Sequence, residues 1–482
     1  MEYDKRYAYK AMTILAPLAI IVLYTESMLI PSLTTIENEF GVNESLVSWV
    51  ITVYLLTGTT FNPIIGRLGD IYGKKRVLTV LMWLYALAVT LTGFSPTFSF
   101  LILFRAIQGL GLGMFPLAFS LIREEFPPKL VPRAQGLVSA MFGVGSAIGL
   151  PLGAYISQSF GWQFTYHSVI PFVVILAFLT SKEIRESRFR NSNMKIDYLG
   201  SSTLGLGLGL LLVAVSEAPS WGWLSGETIS FILLSLTSFI SFGLIERKVP
   251  NPLLSLNILK KRNVLVANLA AFMAGFALFM SYQTLTFLFE LPNPVGFGLD
   301  ILSTGLTLFP LGIIQLLVGP ISGALVSKMG PKPLIISGSI ITSFSFLIQS
   351  ILSLSGPSIG LGNYLIVAMM TMIGATVLNV SLVNLLIFSI SNKVMGVGTA
   401  MNTVFRTMGG AVGPAIAGAV MSTYQSPLVF NLNGLYIVKF LPSDYSFSLI
   451  FELSSLSSLI LTILTTFTNN VKPWEGLGGK ID

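Results

Sequence analysis

The longest uncharged stretches of the chain are the feature that most limits its fold. No Asp, Glu, Lys or Arg occurs from Val77 to Phe104, from Ala134 to Ser181 or from Leu334 to Asn392. A helix of about 20 apolar residues crosses the ~30 Å hydrocarbon core of a bilayer. Backbone polar groups in lipid must be satisfied within the segment, and these runs are too long for barrel strands. The sequence therefore predicts an all-α, membrane-embedded bundle.

The overall composition agrees with this fold class. Of 482 residues, 53% are hydrophobic and 10% are charged, whereas roughly a quarter of an ordinary soluble domain is charged. The breaks between apolar runs predict fourteen spans. We place them at residues 10–31, 45–66, 77–95, 99–121, 134–157, 164–181, 198–217, 227–246, 263–289, 303–327, 332–353, 361–389, 396–422 and 446–467.

The basic residues predict the orientation of the bundle. With a cytoplasmic N-terminus, all 28 Lys and Arg except Arg105, Arg406 and Lys439 fall at the inner face, as the positive-inside bias requires. We therefore expect a multi-pass plasma-membrane protein with both termini in the cytoplasm. The net charge of +7 is spread over short loops that face anionic lipid, so it does not indicate a nucleic-acid partner.

The sequence lacks the residues that several classes of function require. The chain has no Cys and a single His, His167, and it contains no H-E-x-x-H, G-x-S-x-G or phosphate-binding P-loop. We therefore predict no enzyme activity, no catalytic residues, no bound metal and no cofactor, and we exclude an ATP-driven pump within this chain.

The loop between the second and third predicted spans reads GRLGDIYGKKRV. An anchoring loop needs basic residues but not an acid, so Asp70 suggests a breakable latch with a helix N-terminus or a neighbouring basic residue. The pattern resembles the signature loop of the major facilitator superfamily, with Ile71 where a basic residue is common. The latch residues are Gly66, Asp70, Gly73, Lys74, Lys75 and Arg76, and these residues together with Leu68 carry the resemblance.

Two further motifs are similar to those of the same superfamily. Arg105, Gln108 and Gly109 match its R-x-x-Q-G motif, and Gly145–Ala154 is similar to the glycine-proline motif of its exporters, with Pro151 displaced by one position. The resemblance implies that these glycines and prolines pack or gate helices. The set comprises Gly145, Gly149, Pro151 and Gly153 in the fifth span, and Gly413 and Pro414 in the thirteenth.

An internal repeat supports the resemblance. The stretch from Gly323 repeats the signature loop, with Ser327 in place of Asp70, and Gly410–Ala419 repeats the fifth-span motif. We predict a six-helix half at 1–181, two additional helices at 182–262 and a second six-helix half at 263–482. The count of fourteen resembles the fourteen-span drug:proton antiporters.

Ionisable residues within spans are functional candidates because charge is costly in lipid. Glu26 and Arg105 lie at similar depth, and we predict that they form the proton-coupling pair. The alternative is that Glu26 extends to the headgroups and that Arg105 binds backbone carbonyls. Gln108, Arg406 and Gln283 are candidates for a cavity wall. We expect Glu290 and Glu452 to be solvated rim charges.

These features predict a secondary transporter that exports lipophilic or amphipathic compounds in exchange for protons by alternating access. Its partners would be a small-molecule substrate, protons and the bilayer, and we expect a monomer without nucleic acid. A carrier for a sugar, amino acid or siderophore is the first alternative. A receptor or scaffold without transport comes second, and an intramembrane enzyme last.

Overall fold

The computed structural model describes residues 5–127, 130–187, 196–250, 252–254, 256–390, 395–432 and 435–471. Within these ranges the chain is helical apart from one β-hairpin, so the all-α class holds with that exception. The helices are α1 Lys5–Ser27, α2 Leu33–Phe40, α3 Glu44–Val47, α4 Trp49–Tyr72, α5 Lys74–Thr92, α6 Phe98–Gly109, α7 Met114–Glu125, α8 Val131–Phe160, α9 Trp162–Glu183, α10 Tyr198–Trp221, α11 Gly226–Glu246, α12 Leu256–Leu259, α13 Arg262–Glu290, α14 Ile301–Met329, α15 Pro331–Leu354, α16 Leu361–Ser389, α17 Met395–Thr423 and α18 Asp444–Thr466; the strands are β1 Gln425–Leu432 and β2 Leu435–Pro442.

Twelve segments of the described chain are long and apolar enough to cross a membrane. The protein is therefore a multi-pass membrane protein, but this count does not support the predicted fourteen spans. The two predicted spans outside the twelve, 45–66 and 134–157, correspond to α4 and α8. Asn62 and four threonines lower the hydropathy of the apolar stretch of α4.

Helix packing follows one scheme in the two predicted halves. In the first, α1 packs against α8, α5 against α9 and α4 against α6. In the second, α13 packs against α17, α15 against α18 and α14 against α16. The two sets meet where α4 contacts α17 and where α14 contacts α8. These four helices therefore form the boundary between the predicted halves.

The two additional helices, which we call the inserted pair, are α10 and α11. They pack against each other, and α10 also contacts α4 and α17. The inserted pair therefore lies beside the boundary between the predicted halves, while much of α11 is exposed on the bundle surface.

The β-hairpin joins α17 to α18. Its strands are antiparallel, from Gln425 opposite Pro442 to Leu432 opposite Leu435. We call the end of the bundle that carries this hairpin the hairpin end. The opposite end carries the signature loop, Gly66–Arg76, and is called the loop end.

Candidate functional site

Glu26 lies near the hairpin end of α1, where its side chain is half-buried. Two guanidinium groups are close enough to attract its carboxylate, and Arg406 attracts it more strongly than Arg105 does. Among the residues that the structure describes, neither arginine lies within the 4 Å of the Glu26 carboxylate that an ion pair requires. The sequence offered Arg406 no acidic residue in the second predicted half, whereas the structure places Glu26, on α1, close enough to attract its guanidinium.

Arg406 is accessible to solvent although it lies in the middle of α17, against α13 and α4. Glu26, on a different predicted half, is also partly accessible. An accessible pair of opposite charges on α1 and α17 therefore borders a space that solvent can reach. The assignment of Arg406 to a cavity wall stays a prediction.

Arg105 lies within the first predicted half and is fully buried. Its Nε donates to the Val50 carbonyl at 2.9 Å, and its Nη1 donates to the Thr25 carbonyl and to Gln108 Oε1, both at 3.2 Å. The guanidinium carbon also lies 4.7 Å from the centre of the Tyr54 ring. Arg105 thus joins α6 to the backbones of α1 and α4, which is the alternative that the sequence left open.

The two glutamine candidates lie in packed interfaces. Gln108 is fully buried and donates to Thr92 Oγ1 at 2.5 Å, so it faces α5 and not an open space. Gln283 is also fully buried and donates to Ser48 Oγ, a contact from α13 to the first predicted half. The structure therefore places both glutamines inside packed interfaces and not on the predicted cavity wall.

The signature loop forms a network at the loop end. Lys74 Nζ lies 2.8 Å from Asp70 Oδ1 and 2.8 Å from Glu124 Oε1. The backbone N–H groups of Lys75 and Arg76, at the start of α5, donate to the Glu186 carboxylate at 3.0 and 3.2 Å. The described partner of Asp70 is therefore the lysine one turn further along the chain.

Glycines shape this loop in two ways. Gly73 has a φ of +107°, and a Cβ there would lie 2.6 Å from Glu186 Oε1. Because that φ is rare for residues with a side chain, the turn between α4 and α5 requires glycine. Gly66 has open space around it, so the structure gives no steric reason for a glycine there.

The glycines of α8 let it approach α1 closely. A Cβ at Gly145 would lie 2.6 Å from the Ile20 carbonyl oxygen, and one at Gly153 would lie 2.4 Å from that of Met28. Gly149 meets Ser27 Oγ in the same way, at 2.0 Å. Pro151 lies inside α8, between these contacts.

The same packing recurs between α17 and α13. A Cβ at Gly413 would lie 2.4 Å from the Phe276 carbonyl oxygen, and Pro414 follows within the helix. Both glycine sets therefore allow two helices of the same predicted half to pack closely.

Contacts at the hairpin end were not predicted from the sequence. The buried carboxylate of Glu44 in α3 accepts from Ser422 at 3.1 Å and from Gln425 at 3.3 Å, both beyond the boundary. Lys439 of the hairpin donates to Asn38 at 3.1 Å. The first predicted half is therefore joined to the second by polar side chains at this end.

Two acidic residues of the second predicted half also accept hydrogen bonds from the first half at the hairpin end. Glu290 accepts from Thr34 and is not a solvated rim charge. Asp300 accepts from Gln158 at 3.1 Å, and hydrogen bonds from Ser303 hold the pKa of its carboxyl below the usual range. Glu452 is exposed and accepts a hydrogen bond from Ser350 at 3.3 Å.

The comparisons with known proteins decide the family. The profile of the Major Facilitator Superfamily matches residues 15–414. This chain belongs to the Major Facilitator Superfamily. It is therefore a transporter and not an enzyme, and that prediction is confirmed. Transporters of this superfamily act on small molecules within the membrane.

Similar facilitators include bacterial proteins with multidrug names. The chain is 29% identical to the multidrug transporter protein MdtP of Bacillus subtilis (strain 168) over 396 residues, which cover 80% of this chain and 70% of that protein. It is 28% identical to multidrug resistance protein 3 of the same organism, over 63% of this chain and 59% of that protein.

Solved facilitator structures share the fold. The human organic anion transporter MFSD10 superposes with a TM-score of 0.62 at 16% identity, covering 95% of this chain and 99% of that one. A bacterial homologue of the human lysosomal transporter Spinster, solved in an inward-facing and occupied conformation, gives a TM-score of 0.62 at 14% identity, covering 96% of each chain. At these identities the likeness shows the fold alone.

Proposed function

We propose that this facilitator exports lipophilic or amphipathic compounds in exchange for protons, by alternating access, as a member of the fourteen-span drug:proton antiporters. The multidrug names of MdtP and multidrug resistance protein 3 support the substrate class. The accessible Glu26 supports the coupling ion, because a carboxylate in the bundle can exchange a proton with solvent.

The observation that carries the proposal is the attraction between Glu26 and Arg406 across the boundary. An ionised Glu26 attracts Arg406 and holds α1 towards α17, whereas a protonated Glu26 loses that attraction. Protonation therefore changes the relative stability of conformations that differ in the distance between the two halves. Arg105 acts in this account as a buried tether that keeps α1 in place.

The remaining architecture is proposed on the same basis. α4 and α8 complete fourteen spans, since they contain 24 and 30 residues. The halves are 1–181 and 263–482, with 182–262 between them, and the repeated packing scheme supports this division. The loop end faces the cytoplasm, together with both termini, in the plasma membrane, and the protein is a monomer.

The conformation is then closed towards the outside. The polar contacts of Glu44, Glu290 and Lys439 join the halves at the hairpin end, which is the outer end in this topology. Asp70 pairs with Lys74 within its own loop, so the latch is engaged between the halves only in the alternate, outward-open state.

The test uses proteoliposomes with an acidic lumen, a clamped membrane potential and tetraphenylphosphonium as the probe. We expect wild-type protein to accumulate the probe against its gradient. Glu26→Gln still forms hydrogen bonds but carries no exchangeable charge, so it should retain downhill exchange and lose accumulation about tenfold or more. Glu452→Gln, at the exposed carboxylate, is the matched control and should behave as wild type.

Two results would contradict the proposal. Accumulation by Glu26→Gln at the wild-type rate would exclude this residue as the proton site. Absence of probe transport by the wild type, together with pH-driven uptake of a sugar or an amino acid, would favour the metabolite carrier instead.

A further inference from the structure

The inserted pair contacts both halves of the bundle through two different kinds of surface. We infer that α10 and α11 move as one body with the first half and slide over the second. This inference rests on the proposed alternating access, because it assigns the pair to one of the two bodies that rock. The argument depends on where the buried polar contacts of the pair lie.

At the hairpin end, α10 is hydrogen-bonded to the first half. Ser45 Oγ donates to the Ser216 carbonyl at 2.5 Å, and the two serine hydroxyls lie 3.1 Å apart. Trp49 Nε1 donates to Ser216 Oγ at 2.8 Å. Both serines are buried, so separating them would leave polar groups without partners in an apolar surrounding.

At the loop end, a second attachment holds the pair and the segment that follows it. Glu246, at the end of α11, is buried and accepts from the backbone N–H groups of Leu253 and Leu254 at 3.1 and 2.9 Å. Arg67 of the signature loop donates from Nη2 to the Pro252 carbonyl at 2.7 Å. The guanidinium of Arg67 is also attracted to Asp197 and to Glu246.

These groups form a clasp, which we define as Arg67, Asp197, Glu246 and the Pro252 carbonyl. Asp197 caps α10 by accepting from Gly200 N at 2.8 Å and is buried. A Cβ at Gly200 would lie 2.3 Å from Asp197 Oδ2 and 2.9 Å from Glu246 Oε1, so the two carboxyl groups are neighbours. Removing Arg67 from two adjacent buried carboxyl groups is costly, which makes the clasp a fixed attachment.

The segment that leads into the pair is attached to the same loop. Glu186, which follows α9, accepts from the backbone of Lys75 and Arg76. Both connections of the inserted pair are therefore bound to the signature loop of the first half.

The surface towards the second half is apolar. Leu204 and Leu208 of α10 and Phe242 of α11 belong to a buried apolar cluster with Met401 and Val404 of α17, the second-half helix that α10 contacts. Trp223 donates to Thr423 at 3.2 Å in an exposed position, where water can replace the bond. Apolar contacts are not directional, so this surface permits the sliding that packed helices undergo in shear motions.

Disulfide staples test the inference, and the absence of native Cys makes them specific. Ser45→Cys is combined either with Ser216→Cys, on the inserted pair, or with Ser422→Cys, on the second half, because both serines contact Ser45. Under oxidation we expect the first staple to leave tetraphenylphosphonium transport within about twofold of the reduced protein. The second staple should reduce transport about tenfold or more, and dithiothreitol should restore it.

A third staple, Trp223→Cys with Thr423→Cys, joins the inserted pair to the second half. We expect it to block transport as the Ser45–Ser422 staple does. Free transport with this staple, combined with a block by the Ser45–Ser216 staple, would overturn the inference and assign the pair to the second half.

A distance measurement separates this inference from the proposed function. Spin labels at Phe94, Leu224 and Ser358, all exposed, report on the first half, the inserted pair and the second half. Between acidic and alkaline buffers we expect the Phe94–Ser358 and Leu224–Ser358 distances to change while the Phe94–Leu224 distance stays constant.

A Leu224–Ser358 distance that stays constant while the Phe94–Ser358 distance changes would overturn this inference but not alternating access. A constant Phe94–Ser358 distance in every buffer, with and without tetraphenylphosphonium, would overturn alternating access and the inference with it.

Discussion

Arg105 illustrates how a single side chain can hold several helices together. Hydrogen bonds from charged groups contribute about 1.5–3 kcal/mol each, and Arg105 makes two to the backbones of α1 and α4. Arg105→Met should therefore lower the thermal unfolding midpoint in detergent clearly, and Arg105→Lys should lower it less, because lysine keeps the charge but not the planar fork. An unfolding midpoint of Arg105→Met equal to that of the wild type would contradict this tether.

The sequence identified charged residues within the predicted spans but not the residues that surround them. The positions of Glu26 and Arg105 along their predicted spans placed the two residues at similar depth in the membrane. Both residues lie within helices at those positions. Depth cannot reveal which helices face each other, so the stronger attraction of Glu26 to Arg406 required the arrangement of α1 and α17. The burial of Glu290 depended in the same way on a contact from a distant residue, Thr34.

At the scale of elements, the α1–α8 contact depends on glycine. Gly153→Ala places a methyl group 2.4 Å from the Met28 carbonyl oxygen, and backbone atoms cannot rotate away as a side chain can. We expect lower thermal stability and slower transport. Gly209→Ala is the matched control, since nothing lies within 4 Å of its Cβ and alanine favours a helix by up to about 1 kcal/mol. Equal midpoints for the two variants would argue against close packing of α1 and α8.

The helices were easier to predict than the hairpin. Long uncharged runs fix helices in lipid, whereas a hairpin outside the bilayer depends on local turn chemistry. The signal was present, because Asn433 and Gly434 form an Asn-Gly pair flanked by Leu, Val, Phe, Tyr and Ile, and such pairs favour two-residue hairpin turns.

At the scale of the whole molecule, the proposed topology makes the two ends of the bundle chemically distinct. A single cysteine at Lys260, which is exposed before α13, should react with a membrane-impermeant maleimide only from the cytoplasmic side. A single cysteine at Leu224, which is exposed between α10 and α11, should react only from outside. Labelling of Leu224→Cys and Lys260→Cys from the same side of intact cells would contradict a membrane crossing by α11, the one predicted span between them.

Membership of the superfamily could be predicted from short motifs because the signature loop combines glycines and charges at fixed spacing, and its repeat keeps the glycines at Gly323 and Gly330. The division into halves and the position of the inserted pair could be predicted only as an order along the chain. Their mutual contacts, such as the clasp of Arg67 with Glu246, depend on residues 179 positions apart in the sequence, and no local pattern announces them.

The most direct test of proton coupling measures whether a gradient of the probe drives protons in the opposite direction. Proteoliposomes contain a trapped pH indicator, the membrane potential is clamped, and an outward gradient of tetraphenylphosphonium is imposed. Coupled exchange predicts that wild-type protein acidifies the lumen as the probe leaves, and that Glu26→Gln releases the probe without any pH change. Probe efflux by the wild type with a constant luminal pH would contradict proton coupling.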